Sequence, residues 1–395
     1  MLSYAHCVRE DPVRQGLLYL GTENALYVSF DDGEVWLPLQ TNLPHAPVYW
    51  MVIQEHFNDL VVGTYGRGFW ILDDITPLEQ LNARVLDSVA YFFPPRQAYR
   101  FRTISAPMTM SDDPAAGENP PYGASINYYL KSAPSGDVGI QILDAKGQIV
   151  RKLEGTKQPG INRVWWDLRY ELSKEIRLRT SPAYAPEIRV GSEGWRPLPE
   201  GGRLSILAPP GTYTVKLTVG GQELTQPLTV KKDPSSSGSE ADILMQTEML
   251  FELRKDLESV AGMVNAVETV RRQLDDLSAL LKDGQGTEQI RSACQELDKK
   301  LIDLEENFIQ RRLTGRGQDG VRWPAKLVSK ITYLAGGVAS SDFPPTTQQR
   351  EVHALLKVRI RTYQRQFDEL LSRDLAAFNN MLKERKIQNV IARAP

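Results

Sequence analysis

The stretch from Leu17 to Asp74 is written twice, and that repetition limits the fold more than any other feature of the chain. Gly21-Thr22 returns as Gly63-Thr64, and Asp31-Asp32 returns as Asp73-Asp74, both at an offset of 42 residues. Between these anchors Ala25-Leu26-Tyr27-Val28 aligns with Gly68-Phe69-Trp70-Ile71, apolar residue for apolar residue. Short alternating runs separated by Gly, Asn and Asp are the pattern of strands joined by tight turns. A period of about 40–45 residues built from such strands is the spacing of a β-propeller blade, one small antiparallel sheet per repeat.

The first copy contains Ser29-Phe30-Asp31-Asp32-Gly33-Glu34-Val35-Trp36. Asp31 and Asp32 can fold a carboxylate back onto nearby backbone N–H groups, and Gly33 supplies a positive φ without a Cβ clash. Ser29 adds a hydroxyl bond, and Trp36 can cover the turn with its ring. The octet therefore predicts a hairpin between strands at 25–30 and 35–39. The competing reading makes Asp31 and Asp32 catalytic carboxylates. Turn chemistry accounts for every residue of the octet, and no partner acid sits nearby, so it is read as a marker of fold rather than a site.

The first blade is expected to hold strands at 17–21, 25–30 and 35–39, with a further strand before Asp11. The second is expected at 48–54, 60–63 and 68–72. It lacks the octet, since Gly33 aligns with Ile75 and Trp36 with Leu78. Two blades cannot close a ring, and their outer faces and edges would be left uncovered. The expectation is a C-terminal segment of a longer protein with Met1 as an internal start, or a chain whose missing blades come from another chain. In propellers the loops between the second and third strands, and between blades, lie on the face that usually binds ligands. Glu23, Asn24, His45, Tyr65 and Arg67, with Trp50 near the start of its strand, are the candidate binding residues. Gly66 and Gly68 leave the Arg67 guanidinium free to clamp a carboxylate. The alternative is a salt bridge to a neighbouring blade with Tyr65 packed beneath it, and the sequence leaves both open.

Composition narrows the remaining classes. The 395 residues suffice for two or three domains, and 41% hydrophobic with 24% charged residues is ordinary for soluble protein. A net charge of −2 points to no nucleic-acid or anionic-membrane partner. Cys7 and Cys294 fall in different candidate domains, which argues against a disulfide and excludes a cysteine metal site. The four histidines show no ligand spacing, so neither metal nor cofactor is expected. No apolar run is long enough to span a bilayer, and residues 1–11 lack a signal-peptide core.

The organisation is expected to run as blades over 1–80, a transition over 81–122, an Ig-like β-sandwich over 123–232, a linker over 233–240 and helices over 241–395. Within the transition, 85–93 predicts a strand and 108–121 a loop. The sandwich is expected from strands near 125–131, 138–143, 148–153, 161–167, 212–219 and 223–230. An insertion at 171–202 looks too polar and proline-rich for core. Of the neighbouring Trp165 and Trp166, alternation puts one in the core and the other on the surface. Ser239 or Asp242 can cap the first helix. Leu250, Leu253, Leu257, Val260, Val264 and Val267 form one apolar stripe, and Ile290, Cys294, Leu297, Leu301, Leu304 and Phe308 another. A third helix is expected to open at Pro324. The fourth carries Leu356, Ile360, Tyr363 and Phe367, then shifts register to Leu371, Leu375, Phe378 and Leu382. These four predict an antiparallel four-helix bundle. Gly315-Arg316-Gly317-Gln318-Asp319-Gly320 matches a dinucleotide fingerprint in letters only, because it joins helices rather than a strand to a helix.

The octet Ser29–Trp36 has the form of the Asp-box of bacterial neuraminidase (BNR) repeats. With Gly63-Thr64-Tyr65-Gly66-Arg67-Gly68-Phe69-Trp70-Ile71-Leu72-Asp73-Asp74, Trp166-Asp167-Leu168-Arg169, Pro209-Pro210-Gly211-Thr212-Tyr213 and the closing helices, the order of features resembles a large bacterial family of BNR-repeat glycosyl hydrolases, related in propeller form to sortilin-type proteins. The resemblance implies further blades upstream and export to the cell envelope or beyond. Family members often have His where this chain has Tyr65. Asp-boxes mark a fold and also occur in non-enzymes. Sialidase chemistry, by that resemblance, needs an arginine cluster, a Tyr–Glu pair and an acid Asp from several blades, a set that two blades do not supply. The sequence therefore reads as a scaffold and recognition segment for a glycan or protein ligand. The alternative is part of a sialidase-like hydrolase whose catalytic residues lie mainly in other blades.

Overall fold

In the computed structural model the two copies of the repeat form two antiparallel sheets packed face to face. The first runs β1 (Ala5–Glu10), β2 (Leu18–Thr22), β3 (Leu26–Ser29) and β4 (Leu37–Pro38), in that spatial order. The second runs β5 (Val48–Gln54), β6 (Asp59–Thr64) and β7 (Phe69–Leu72). Then follow α1 (Thr76–Gln80), α2 (Ala83–Asp87), β8 (Ala90–Phe92), β9 (Ala98–Arg100), β10 (Ala124–Leu130), β11 (Val138–Leu143), β12 (Ile149–Glu154), β13 (Gly160–Trp166), β14 (Arg177–Leu178), β15 (Arg196–Pro197), β16 (Gly211–Val219) and β17 (Gln222–Lys232). The helical region holds α3 (Glu240–Leu280), α4 (Glu288–Glu305), α5 (Asp319–Arg322), α6 (Leu327–Ala339), α7 (Thr347–Glu369) and α8 (Ala376–Glu384). The structure describes residues 3–102, 117–199, 201–282, 284 and 286–392, so expectations about Met1 and most of the 108–121 loop lie outside the described residues. The chain is mixed β and α, and divides into two compact units: Met1–Tyr170 with Leu207–Ser235, and Glu171–Ile206 with Ser236–Pro395.

In the first unit, Leu17, Tyr19, Leu26 and Val28 of the first sheet share one core with Val48, Met51, Leu60 and Val62 of the second. The sheets approach closely because Gly21 has no side chain. A Cβ there would sit 2.6 Å from Val48 Cγ1 and 2.7 Å from the Val48 carbonyl oxygen. The repeat is also visible in the backbone. Gly16 and Asn58 have φ of +77° and +52°, and Asp32 and Asp74 have +58° and +53°, each pair 42 residues apart.

The octet closes its hairpin as expected. The Ser29 hydroxyl donates to Asp31 Oδ1 at 2.7 Å and accepts from the Gly33 N–H at 2.9 Å, while Val35 N–H donates to Asp31 Oδ1 at 2.9 Å. Gly33 has φ +90°, with the Trp36 ring over it. These donors hold the Asp31 carboxyl below the usual carboxylate range, the Val35 N–H first among them. A depressed folded-state pKa contributes stability above the unfolded value that is lost as pH falls through the folded one. Ser29→Ala is expected to cost about 1–2 kcal/mol, read from the denaturant midpoint, because a fully buried hydroxyl with two partners is removed.

The second turn has been put to another use. Asp74 is buried, and its Oδ2 accepts from the Ser125 hydroxyl and, at 2.8 Å, from Asn127 Nδ2. Its Oδ1 accepts from the Thr76 hydroxyl. Arg163 donates to the carbonyls of Asp73 and Asp74, both at 2.6 Å, and to Asn127 Oδ1 at 2.7 Å. Arg96 donates to Asp59 at 3.1 Å. This clamp joins the second sheet to β10 and β13.

Two further sheets, β13-β10-β8 and β12-β11-β16-β17-β9, enclose a second core. The strand expected at 85–93 is instead a short helix, α2, followed by β8. Asn82 stops the strand by accepting the Val85 N–H on its side-chain oxygen, which caps the helix. β9 lies parallel to β17, so the segment read as a transition supplies a strand to each sheet. Trp166 is fully buried and Trp165 half-buried, as alternation requires. The Trp166 indole donates to the Arg169 carbonyl at 3.0 Å and meets Tyr213 edge-on at 5.1 Å. The Tyr213 hydroxyl donates to the Pro209 carbonyl at 2.8 Å.

In the second unit Ser239 caps α3 through a capping box with Asp242. α3 carries a broad buried face because α4, α6 and α7 all pack on it. Cys294 is buried in α4, and desolvation pushes its thiol up. α6 starts beyond Pro324, because the N–H groups of Leu327 and Val328 donate to the Asn307 and Phe308 carbonyls. The register shift in the last helix is a π turn at Leu370–Leu375, whose five-residue step keeps Leu370 and Leu375 on the buried face. Leu370 rather than Leu371 takes the stripe position. The 315–320 glycines form a loop closed by Asp319, which accepts the Thr314 N–H at 2.7 Å.

The insertion does contain core, contrary to expectation. Within it Ile176, Leu178, Ala185 and Leu198 are buried, and β14 packs on α3. Its polar character serves a buried ion network. Arg271 donates to Glu268 at 2.8 Å, Glu305 at 2.9 Å, Asp298 at 2.8 Å and Thr180 Oγ1 at 3.1 Å. Thr180 N–H and Oγ1 each donate to Glu268 at 2.8 Å. Burial and the neighbouring Glu268 push the Glu305 carboxyl well above the usual range. Arg271→Met leaves these acids without their common cation, and is expected to cost about 3–5 kcal/mol by urea denaturation.

Candidate functional site

Paired threonines position the loops at one end of the first two sheets. Thr22 Oγ1 donates to the Ala25 carbonyl at 2.9 Å, which fixes the Glu23-Asn24 turn. Its repeat partner Thr64 donates to Gly68 at 2.7 Å across a loop one residue longer, where Gly66 and Gly68 take φ of +77° and +71°. Tyr65 N–H donates to the Pro47 carbonyl at 2.9 Å, tying this loop to the crossing between sheets.

The end assembled this way is a continuous polar and aromatic edge. His6 Nε2 lies 2.5 Å from Glu23 Oε2, and its ring meets Tyr49 edge-on with centroids 4.4 Å apart. Tyr49 in turn lies 5.7 Å from Tyr65. His45 Nδ1 is 3.1 Å from the Asn24 carbonyl and 3.3 Å from Gln40 Nε2. Four candidates, Glu23, Asn24, His45 and Tyr65, are thus joined by direct contacts or shared loops. Arg67 stands exposed at the hairpin tip. Its carbonyl accepts the Trp70 indole N–H at 3.0 Å, and its guanidinium makes no hydrogen bond or ion pair among the described residues. Trp50 is not part of the edge; its ring lies on the face of the second sheet, 4.3 Å beneath the Arg9 guanidinium.

Sequence reasoning missed His6. The signal was present, because His6 stands 43 residues before Tyr49, the same spacing that relates Leu26 to Phe69. Extending the repeat back into β1 places both at the start of equivalent strands.

A second polar cluster surrounds Glu79 of α1. Asn58 Nδ2 donates to Glu79 Oε2 at 3.4 Å, while Oε1 is buried with no hydrogen-bond partner among the described residues. Burial first, then Asp11 and Asp74, push the Glu79 carboxyl up to about 7. Its ionisation is less favourable folded than unfolded. That contribution is present below the unfolded pKa and is lost as pH rises through about 7. Glu79→Gln is accordingly expected to raise the melting temperature at pH 8 and to leave it unchanged at pH 4.

Among the described residues no three His, Cys, Asp or Glu side chains are grouped to hold a metal ion, and no helix is long and apolar enough to cross a membrane. In comparisons with known proteins, no family model and no curated protein matches the chain. Among solved structures, a mutant of Salmonella α-2-macroglobulin aligns at 14% identity and a TM-score of 0.19. The alignment covers 56% of this chain and 12% of that one, a likeness too slight to bear on fold or function.

Proposed function

We propose that the first two sheets are adjacent blades of a β-propeller of the BNR-repeat type, and that the edge built from His6, Glu23, Tyr49, Tyr65 and Arg67 recognises a ligand. The carrying observation is the contact chain from Glu23 through His6 and Tyr49 to Tyr65, which links loops of both sheets beside an uncommitted guanidinium. Aromatic faces next to paired donors and acceptors suit a sugar, and Arg67 adds preference for a carboxylate-bearing one. The two-sheet domain is read as Ig-like, supported by the buried Trp166 and by the Tyr213 hydroxyl reaching back to Pro209. The helices are read as an antiparallel four-helix bundle, and together these parts make a scaffold exported to the envelope or beyond.

A share in a glycosidase site would need two carboxylates about 5–10 Å apart converging with Arg67. Glu23 supplies one, already engaged by His6, so recognition is the better-supported reading. The test is a glycan-array screen followed by titration of the best binder with Tyr65→Ala, Arg67→Ala and His6→Ala. Each is expected to weaken binding about tenfold or more. Full affinity in all three would remove the edge as the binding site, and a protein hit without a glycan hit would redirect it to a protein ligand.

A further inference from the structure

The face of the first sheet that packs on the second contains Cys7, Tyr19, Gly21, Leu26 and Val28, with Leu26 at 3% and Val28 at 4% exposure. Their repeat equivalents, 42 residues on for Tyr19 and Gly21 and 43 for Cys7, Leu26 and Val28, are Trp50, Val61, Gly63, Phe69 and Ile71 on the second sheet. The ladder places these on one face, with Trp50 opposite Gly63 opposite Phe69, and Val52 opposite Val61 opposite Ile71. Apart from the Arg9 guanidinium over Trp50, this face is open among the described residues: Trp50 is 61% exposed, Phe69 83% and Ile71 59%. Gly63 has the same meaning in reverse. Gly21 is required because Val48 presses against it, whereas a Cβ on Gly63 would meet nothing nearer than 3.6 Å. The glycine that admits a neighbouring strand is present, and among the described residues no strand lies against it.

The opposite side of the first sheet completes the pattern. The second sheet presents Met51, Leu60, Val62 and Trp70 to the first. Their repeat equivalents, Val8, Leu18, Leu20 and Tyr27, line the first sheet's other face. Val8 is exposed there and the other three are half-buried. The molecule therefore carries, on two outward faces, both halves of the contact it already makes internally.

We infer that the open face of the second sheet docks the open face of the first sheet of a second copy of this chain, head to tail, in the manner of the internal contact. Such a contact is heterologous and repeats until a ring closes. With two sheets per copy and about 4–8 blades per ring, closure takes roughly two to four copies. The inference rests on the blade reading above and is independent of the ligand edge.

The experiment is light scattering across a concentration series, with the full chain and one variant of each face. Phe69→Lys places an ammonium in the centre of one half of the contact, and Val8→Lys does so in the other. Gly63→Val serves as a second block that leaves the original side chains in place. Wild type is expected to form a closed oligomer. Each variant is expected to be monomeric with wild-type circular dichroism, its association weakened about 30-fold or more. A mixture of Phe69→Lys and Val8→Lys is expected to give a heterodimer, since each retains the half the other lacks. A wild type that stays monomeric, an oligomer unaffected by any of the three variants, or single-face variants that do not combine would each overturn it. Lost ligand binding with intact assembly would remove only the edge.

Discussion

In dilute, monomeric protein Gly21→Ala is expected to destabilise the first unit by about 3 kcal/mol or more, while Gly63→Ala changes it by less than about 1 kcal/mol. Both glycines are half of a Gly-Thr pair and occupy the same place in the repeat, so propensity and local geometry predict equal costs. The difference comes from packing. The added methyl group at 21 has to share space with the Val48 carbonyl oxygen, a backbone atom that cannot step aside without moving β5. At 63 the nearest atoms are at ordinary contact distance. Urea midpoints of the two variants measure the difference. Equal shifts would mean that the close approach at Gly21 does not carry the sheet contact.

The second large effect divides the aspartates in the same way. Asp74→Ala is expected to cost about 3–5 kcal/mol, because it leaves Ser125, Asn127 and Thr76 without their common acceptor. It also places Ala at a φ of +53°. Asp32→Ala meets only the backbone term, about 1–2 kcal/mol, since its side chain is exposed. Thermal unfolding of the pair reads this directly. A milder effect for Asp74→Ala than for Asp32→Ala would show that the clamp does not join the second sheet to β10 and β13.

These pairs also show what the sequence made legible. The repeat revealed both sheets, most strand positions and the octet hairpin, because local turn chemistry specifies them residue by residue. Helix stripes were legible for the same reason: period and caps are local. Asp73-Asp74 looked like a plain repeat of Asp31-Asp32, and nothing local says that Asp74 turns inward to Ser125 and Asn127. The polarity of the 171–202 insertion argues against core, yet its Thr180 hydroxyl and the Arg179 and Thr180 N–H groups are satisfied by Glu268 and Arg271, far away in the chain. Its place near the start of a strand puts Trp50 at the ligand edge in the sequence, yet a bulge between Val48 and Trp50 resets which residues share a face. His6 escaped because the strand that carries it precedes the first clear anchor of the repeat.

The most direct measurement is thiol labelling of Leu26→Cys, Val28→Cys, Phe69→Cys and Ile71→Cys, each in a background where Cys7 and Cys294 are replaced by Ala. In dilute protein the first two are expected to be protected and the last two to react at the rate of an exposed thiol, with protection of positions 69 and 71 appearing as concentration rises. Equal reactivity at all four positions, or protection of 69 and 71 in the dilute monomer, would contradict the equivalence of one covered and one open face.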